Sequence, residues 1–161
     1  MNRSMRWHYR DAGLLWPFVP AYLIHVAEEW FAGFPQWLEQ IAGRPVPGSA
    51  FLIISAVVLV VLIAAIRAAT RAEHNGWLGV TIATIALINT AVHAGGAVLT
   101  QSYSPGLVSA VVLYVPLGSL VTIRAFDQAP RAQVQRGIFA GILLHALAFI
   151  VAFLSSQIQA F

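Results

Sequence analysis

A short polar motif, His25-Val-Ala-Glu28-Glu29, interrupts an apolar stretch near the start of the 161-residue chain. Helical spacing of three and four residues places these three side chains on neighbouring parts of one face. Imidazole nitrogens and carboxylate oxygens are ligands for zinc, iron or manganese, and the same groups act as acids and bases in proton transfer. The motif therefore predicts either a divalent metal site or an acid–base site.

Further polar groups interrupt two later apolar stretches. Asn89 and His93 lie one helical turn apart, and His145 stands alone in the sequence GILLHALAF. A lone His or Asn inside a membrane often serves only as a hydrogen-bond partner between helices. The two carboxylates are harder to explain structurally, because a charged residue at the centre of a membrane helix costs about 2.5 to 3.5 kcal/mol and no Lys or Arg accompanies them. We therefore predict that these residues form a functional site.

The composition indicates that the elements carrying these residues lie in a membrane. Hydrophobic residues make up 59% of the chain and charged residues only 9%, and the mean hydropathy is +0.77. Soluble domains are about one quarter charged. Five apolar stretches have the length needed to cross the hydrocarbon core, at residues 14–34, 51–69, 77–99, 106–126 and 137–155. We expect an all-α fold in which residues 1–161 form one bundle of five transmembrane helices.

The basic residues predict how this bundle is oriented. All nine are Arg, and in a five-helix topology only Arg44 falls on the outer side. The other eight fall on the inner side: Arg3, Arg6, Arg10, Arg67, Arg71, Arg124, Arg131 and Arg136. We therefore expect a cytoplasmic N-terminus and a C-terminus outside. Because the arginines are scattered at helix ends and not gathered on one face, we interpret the pI near 10.0 as a topology signal and expect no nucleic-acid partner.

The topology also allows the depths of the polar residues to be compared. The first, third and fifth spans run in the same direction, and a helix rises about 1.5 Å per residue. Two sets result: His25, Asn89 and His145 near the bilayer centre, and Glu28, Glu29 and His93 roughly 7 Å further out. We expect these residues to meet in one layer shared by spans one, three and five.

A single divalent ion is the expected cofactor of this layer. Three neutral imidazoles, two carboxylates and one such ion sum to zero charge. We predict His25, Glu29, His93 and His145 as ligands, with Glu28 as a further ligand or a general base. Zinc is the first choice, and iron or manganese is possible; the chain has no Cys to supply a thiolate. Dinuclear carboxylate sites usually collect about four Glu, which favours one metal, although a bridging Glu leaves a pair open.

Other residues are predicted to support the site or the helices. Asn89 is expected to orient the ligands by hydrogen bonding. Tyr114, close to the helix-breaking Pro116, is expected to line the site. Trp37 lies near a predicted span end and is interpreted as an anchor at the membrane interface. The segment SYSPG at 102–106 is predicted to be a loop.

In these residues the chain resembles the HXXEE family of small prokaryotic integral membrane proteins. The family's motif stands here as His25-Val-Ala-Glu28-Glu29, and Asn89 and His93 match an N-x-x-x-H pattern. The resemblance extends over nearly the whole chain. It implies a shared site with an enzymatic role, without specifying a reaction, and a location in the prokaryotic inner (cytoplasmic) membrane.

The leading functional hypothesis is a membrane metalloenzyme that acts on an apolar or lipid-like substrate entering laterally from the bilayer. Zinc would support hydrolytic chemistry and iron redox chemistry, with Glu28 and Glu29 as catalytic residues. A metal-free acid–base isomerase or cyclase of a lipid remains an alternative. So do a proton-coupled or ion-coupled transporter and a bundle in which the polar cluster only holds helices together.

Overall fold

The computed structural model describes residues 11–43 and 45–158, which contain helices and no strand. The all-α prediction is therefore confirmed for this part of the chain. Its helices are α1 (Phe18–Phe31), α2 (Phe34–Ala42), α3 (Gly48–Arg71), α4 (Trp77–Thr100), α5 (Leu107–Gln128) and α6 (Arg131–Ile158). Short 3-10 turns at Asp11–Leu14 and Glu73–Asn75 precede α1 and α4.

Three of these helices, α3, α4 and α5, are long and apolar enough to cross a membrane. The second, third and fourth predicted spans fall on them. On α3 large apolar side chains point away from the protein, and Ile53, Val60 and Val61 are each more than half exposed. Such a surface suits contact with lipid tails and would be costly in water. The fold therefore indicates a membrane protein.

The first predicted span, residues 14–34, is not one continuous helix. α1 ends at Phe31, and Gly33 adopts a left-handed conformation with φ of 78° before α2 begins. Pro35 then stands in the first turn of α2, where its missing N–H costs nothing. With 14 residues, α1 is only about 21 Å long, shorter than the hydrocarbon core. The first predicted span is therefore divided between two helices, and the count of five spans stays a prediction.

Helix α4 is the central element of the bundle, packing against α3, α5 and α6. The approach of α6 is especially close at Gly137 and Gly141. A Cβ atom at Gly137 would lie 2.5 Å from Cβ of Val80, and one at Gly141 would lie 2.6 Å from Cβ of Thr84. Glycines spaced by four residues are typical of closely packed membrane helices. Thr81 adds a hydrogen bond from its hydroxyl to the Gly137 carbonyl at 3.2 Å.

The two ends of the bundle differ in charge. Arg67 and Arg71 precede the α3–α4 connection, Arg124 and Arg131 flank the α5–α6 connection, and the Arg136 guanidinium lies 4.1 Å from the Trp77 ring centroid. We call this the arginine end. The α4–α5 connection, residues 101–106, lies at the opposite end, which we call the loop end.

Four arginines used for the orientation, Arg3, Arg6, Arg10 and Arg44, lie outside the described residues. The cytoplasmic N-terminus and external C-terminus therefore remain a prediction.

Candidate metal centre

Three buried side chains converge between α1 and α4. Nε2 of His25 lies 3.5 Å from Oε1 of Glu29, and Nε2 of His93 lies 3.4 Å from the same oxygen. The ligand atoms of the three residues all lie within 4.8 Å of one another. The exposed fractions are 3% for both histidines and 8% for Glu29. We call these three residues the trio.

The spacing in the trio matches that of atoms bound to one ion. Zinc binds His nitrogen and carboxylate oxygen at about 2.0 to 2.2 Å in a tetrahedral arrangement, so two of its ligands lie about 3.3 Å apart. The two nitrogen–oxygen distances of 3.4 and 3.5 Å are close to this value. Three protein ligands also leave one position open, as in catalytic zinc sites.

Hydrogen bonds fix the orientation and the protonation of the His25 ring, whose Nε2 lies 3.5 Å from Oε1 of Glu29. Nδ2 of Asn89 donates to Nε2 of His25 at 2.9 Å, so this nitrogen carries no proton in the neutral ring. Nδ1 therefore carries the proton and donates it to Oγ of Ser109 at 2.9 Å. The Ser109 hydroxyl in turn donates to the carbonyl of Gly106 at 3.2 Å. Nε2 of His25 and Oε1 of Glu29 thus face each other as two acceptors, an arrangement that a cation between them would stabilise.

His93 is held in a similar way. Its Nδ1 is hydrogen-bonded to Oγ of Ser104 at 3.0 Å, and Ser104 is completely buried. Its ring stands nearly perpendicular to that of His25, with centroids 5.1 Å apart. Metal-binding histidines commonly use the second ring nitrogen to fix the orientation of the ring. In both histidines of the trio, a serine hydroxyl occupies that role.

A π-helical turn at the start of α5 brings two of these supporting groups to His25. In an α-helix, residues five apart point about 140° away from each other, so Ser109 and Tyr114 would face different sides. In residues Ala110–Tyr114 the helix is wound more loosely, and the N–H of Val115 bonds to the carbonyl of Ala110, five residues back. As a result Ser109 bonds to His25, and the Tyr114 ring lies 4.7 Å from the His25 ring.

Pro116 gives a local reason for the π-helical turn. Proline has no N–H, so an ordinary helical bond to the carbonyl of Val112 is impossible. Thr90 on α4 stabilises the turn from outside by donating a hydrogen bond to the carbonyl of Ala110 at 3.3 Å. Pro116 therefore does not break the helix but is accompanied by a change of helical winding next to Tyr114.

Gly106 closes the trio on the side of the loop end. Its φ of 98° lies in the left-handed region, and a Cβ atom there would come within 2.8 to 2.9 Å of all three trio side chains. Only glycine satisfies both the backbone conformation and the space. The loop predicted from the sequence SYSPG is thus a direct part of the site.

Glu28 faces a different set of partners from Glu29. Its carboxylate accepts hydrogen bonds from the backbone N–H groups of Val108 at 3.0 Å and Ser109 at 2.6 Å. The Tyr103 hydroxyl donates to the same carboxylate. Burial and this hydrogen bond raise the pKa of Tyr103 to about 12, so the phenol remains a donor at neutral pH. Glu28 therefore ties α1 to the first turn of α5, where a negative charge is favoured by the helix dipole.

Aromatic residues cover the trio near the break between α1 and α2. The Phe34 ring lies 5.8 Å from the His93 ring and 5.8 Å from the Trp37 ring. Trp37 packs so closely on α4 that a Cβ atom at Gly96 would lie 2.7 Å from its ring. Trp37 therefore contacts the protein interior, in addition to any anchoring role at the membrane interface.

His145 is half-buried on α6, close enough to His93 to interact with it electrostatically. It is not one of the three converging ligands found among the described residues. The site is consequently built from α1, α4 and the start of α5, which are the first, third and fourth predicted spans. The start of the fourth span, which was expected to supply only Tyr114, also supplies Ser109, and a contribution of His145 from the fifth span stays a prediction. The topology predicts how deep each residue lies along its own helix. It does not predict which helices are neighbours in the bundle.

Sequence reasoning did not single out Ser104, Gly106 or Ser109. The two serines and the glycine belong to an apparent surface loop and to the first turn of the following helix. The available signal was weak: a polar, glycine-containing segment directly follows the helix that carries His93. Only the folded chain shows that this segment turns back onto the trio.

Taken together, the chain is an all-helical protein of the membrane type with a buried His/Glu cluster that can hold a metal ion. It belongs to the HXXEE family: a family model described as a protein of unknown function with an HXXEE motif matches residues 16–122. The match includes the trio, Asn89, Tyr114 and the loop, and it ends before His145. The resemblance therefore covers less of the chain than expected. No curated protein and no solved structure matches the chain.

Proposed function

We propose that this protein is a metal-dependent intramembrane enzyme that acts on an apolar or lipid-like substrate. The observation that carries the proposal is the convergence of Nε2 of His25, Oε1 of Glu29 and Nε2 of His93 on one buried point. A divalent ion at that point, with zinc the first choice and iron or manganese possible, supplies Lewis-acid chemistry and, for iron, redox chemistry.

The surroundings of the trio support a catalytic site over a purely structural one. Structural zinc sites are closed by four protein ligands, whereas this trio offers three. Both ring orientations are fixed in advance by Ser104 and Ser109, which lowers the cost of binding an ion.

The position of the trio in the bundle supports a substrate that carries no formal negative charge. The described arginines lie at the arginine end, whereas the trio is close to the loop end. No Arg side chain among the described residues is therefore positioned to bind a phosphate or carboxylate beside the trio. The outer surfaces of the helices are rich in exposed apolar side chains instead, so we infer a lipid-like substrate that arrives from the bilayer. The prokaryotic inner membrane is part of this proposal.

Metal-free acid–base chemistry is the second candidate, because the same carboxylate oxygen faces both imidazoles. Glu29 and a histidine could then share a proton and isomerise or cyclise a lipid. The metal content of the purified protein separates the two candidates.

The test is elemental analysis by mass spectrometry of the full chain, purified in detergent. A variant with both His25→Ala and His93→Ala is compared with a matched control, His74→Ala, which changes an exposed histidine at the arginine end. We expect a near-stoichiometric divalent metal in the wild type and the control, and its loss in the double variant. If no metal binds to the wild type even after incubation with zinc, iron or manganese, the acid–base candidate replaces the metalloenzyme.

A further inference from the structure

The two sides of the trio differ in how much space they leave for another molecule. Toward the loop end, Gly106 packs against carbon atoms of His25, Glu29 and His93 so closely that even a methyl group has no room. Ser104, also on that side, is completely buried. Another molecule therefore cannot approach the trio from the loop end without moving this segment.

On the other side of the trio, Asn89 lies deeper in the bundle. His93 is about 10 Å from the end of α4 at Thr100, whereas Asn89, one turn earlier, is about 16 Å from it. Tyr114 lies about 10 Å from the start of α5 and contacts the His25 ring. Asn89 therefore lies on the side of the trio that faces the middle of the bundle, and Tyr114 borders His25 at about the depth of His93.

The hydrogen bond from Asn89 to His25 conflicts with metal binding. Nε2 of His25 has a single lone pair, which accepts the N–H of Asn89 at 2.9 Å in this structure. An ion bound to the same nitrogen displaces that N–H. A partly buried amide N–H then needs a new acceptor, because an unpaired buried donor is destabilising. An oxygen atom held beside the ion, on the inner side of the trio, provides one.

We infer that Asn89 donates a hydrogen bond to an oxygen atom of the substrate, and that the substrate is a lipid-like molecule with a carbonyl or hydroxyl oxygen within its apolar part. The inference rests on the proposed function, because the ion is what frees the Asn89 amide. It goes further by naming the chemical group that the site recognises and the side from which it arrives.

The test uses the full chain in detergent, loaded with Co²⁺, whose visible absorption reports the binding of added ligands. Two probes are titrated: acetohydroxamate, which binds metals through oxygen atoms that accept hydrogen bonds, and ethanethiol, whose sulfur is a weak acceptor. The variants are Asn89→Ala and Asn89→Asp. The matched control is Thr84→Val on the same helix, since the Thr84 hydroxyl bonds to the carbonyl of Val80 in its own helix.

We expect both Asn89 variants to bind acetohydroxamate about tenfold or more weakly than the wild type, with ethanethiol affinity within about twofold. Thr84→Val should match the wild type for both probes. Equal acetohydroxamate affinity in the wild type and Asn89→Ala would overturn the inference, as would an equal loss for the two probes. Loss of cobalt from both Asn89 variants would also overturn the inference, because Asn89 would then be required for binding the ion itself. Absence of cobalt from the wild type would instead refute the proposed metal site.

Discussion

At the scale of residues, the most informative feature is that each histidine of the trio has its two nitrogens assigned to different tasks. Nδ1 bonds to a serine hydroxyl, at 2.9 Å in His25 and 3.0 Å in His93, and Nε2 faces Glu29. A buried serine can hold a histidine ring in place with one hydroxyl group, because that group both donates and accepts hydrogen bonds. The serines should therefore matter for the strength of metal binding.

Ser104→Ala and Ser109→Ala should each weaken metal binding roughly 10-fold to 100-fold, because the ring that loses its partner is no longer held in the binding orientation. Competition with a chromophoric chelator measures the affinity. Ser119→Ala, on α5 but away from the trio, is the control and should behave like the wild type. Unchanged affinity in both serine variants would show that the rings are positioned by packing alone.

The two adjacent glutamates should respond differently to the same substitution. Glu29→Gln should abolish stoichiometric metal binding, because an amide is a far poorer ligand than a carboxylate for these ions. Glu28→Gln should keep the metal but lower the melting temperature, since an amide oxygen replaces a charged acceptor of the Val108 and Ser109 N–H groups. Elemental analysis and thermal unfolding in detergent provide the two readouts. If Glu28→Gln loses the metal while its melting temperature is unchanged, Glu28 is instead a ligand of the ion.

At the scale of elements, the site depends on irregular backbone. The break after Phe31, the loop of residues 101–106 and the π-helical turn Ala110–Tyr114 all lie around the trio. Irregular backbone at membrane depth is tolerated where it is buried in protein. These three irregularities position groups that straight helices would turn away from His25 and His93.

Gly106→Ala should disrupt the trio. The added methyl group would lie within 2.9 Å of its three side chains, and a φ of 98° is unfavourable for alanine. Overpacking of this kind costs about 1 to 3 kcal/mol, and the backbone strain adds about 1 to 2 kcal/mol. We expect a lower melting temperature and loss of bound metal.

Gly95→Ala is the matched control for that experiment, because a Cβ atom at Gly95 meets nothing within 4 Å. Its helical position should make the change neutral or slightly stabilising. If both variants retain metal and melt together with the wild type, Gly106 is not the close contact described above.

At the scale of the whole molecule, charge and apolar surface are arranged along one axis. The arginine end carries the described basic residues, and the trio lies nearer the loop end. From the positive-inside rule we predict that the trio lies toward the outer half of the membrane.

This orientation can be measured directly, because the chain contains no Cys. Single substitutions Ser102→Cys at the loop end and Ala132→Cys at the arginine end change exposed residues. With intact cells and a membrane-impermeant maleimide, we expect Ser102→Cys to be labelled at once and Ala132→Cys only after permeabilisation. The reverse pattern would invert the topology and place the trio near the cytoplasmic surface.

The sequence by itself determined the apolar helices and the residue types of the site. Runs of about 20 apolar residues are a sufficient signal for α3, α4 and α5, because a membrane helix satisfies its own backbone hydrogen bonds. His25, Glu29 and His93 were recognisable because polar groups are costly in such runs, and Asn89 because it stands one turn from His93.

Only the tertiary structure decided which helices meet at the trio and which glutamate faces it. Neighbouring positions such as Glu28 and Glu29 are about 100° apart on α1, so small differences in helix rotation decide between them. The roles of Ser104, Gly106 and Ser109 depend on a loop folding back over residues that are distant in sequence, and no local pattern encodes such a contact. Local periodicity reports how far each residue lies along its own helix, whereas the packing of side chains between helices fixes what each residue faces.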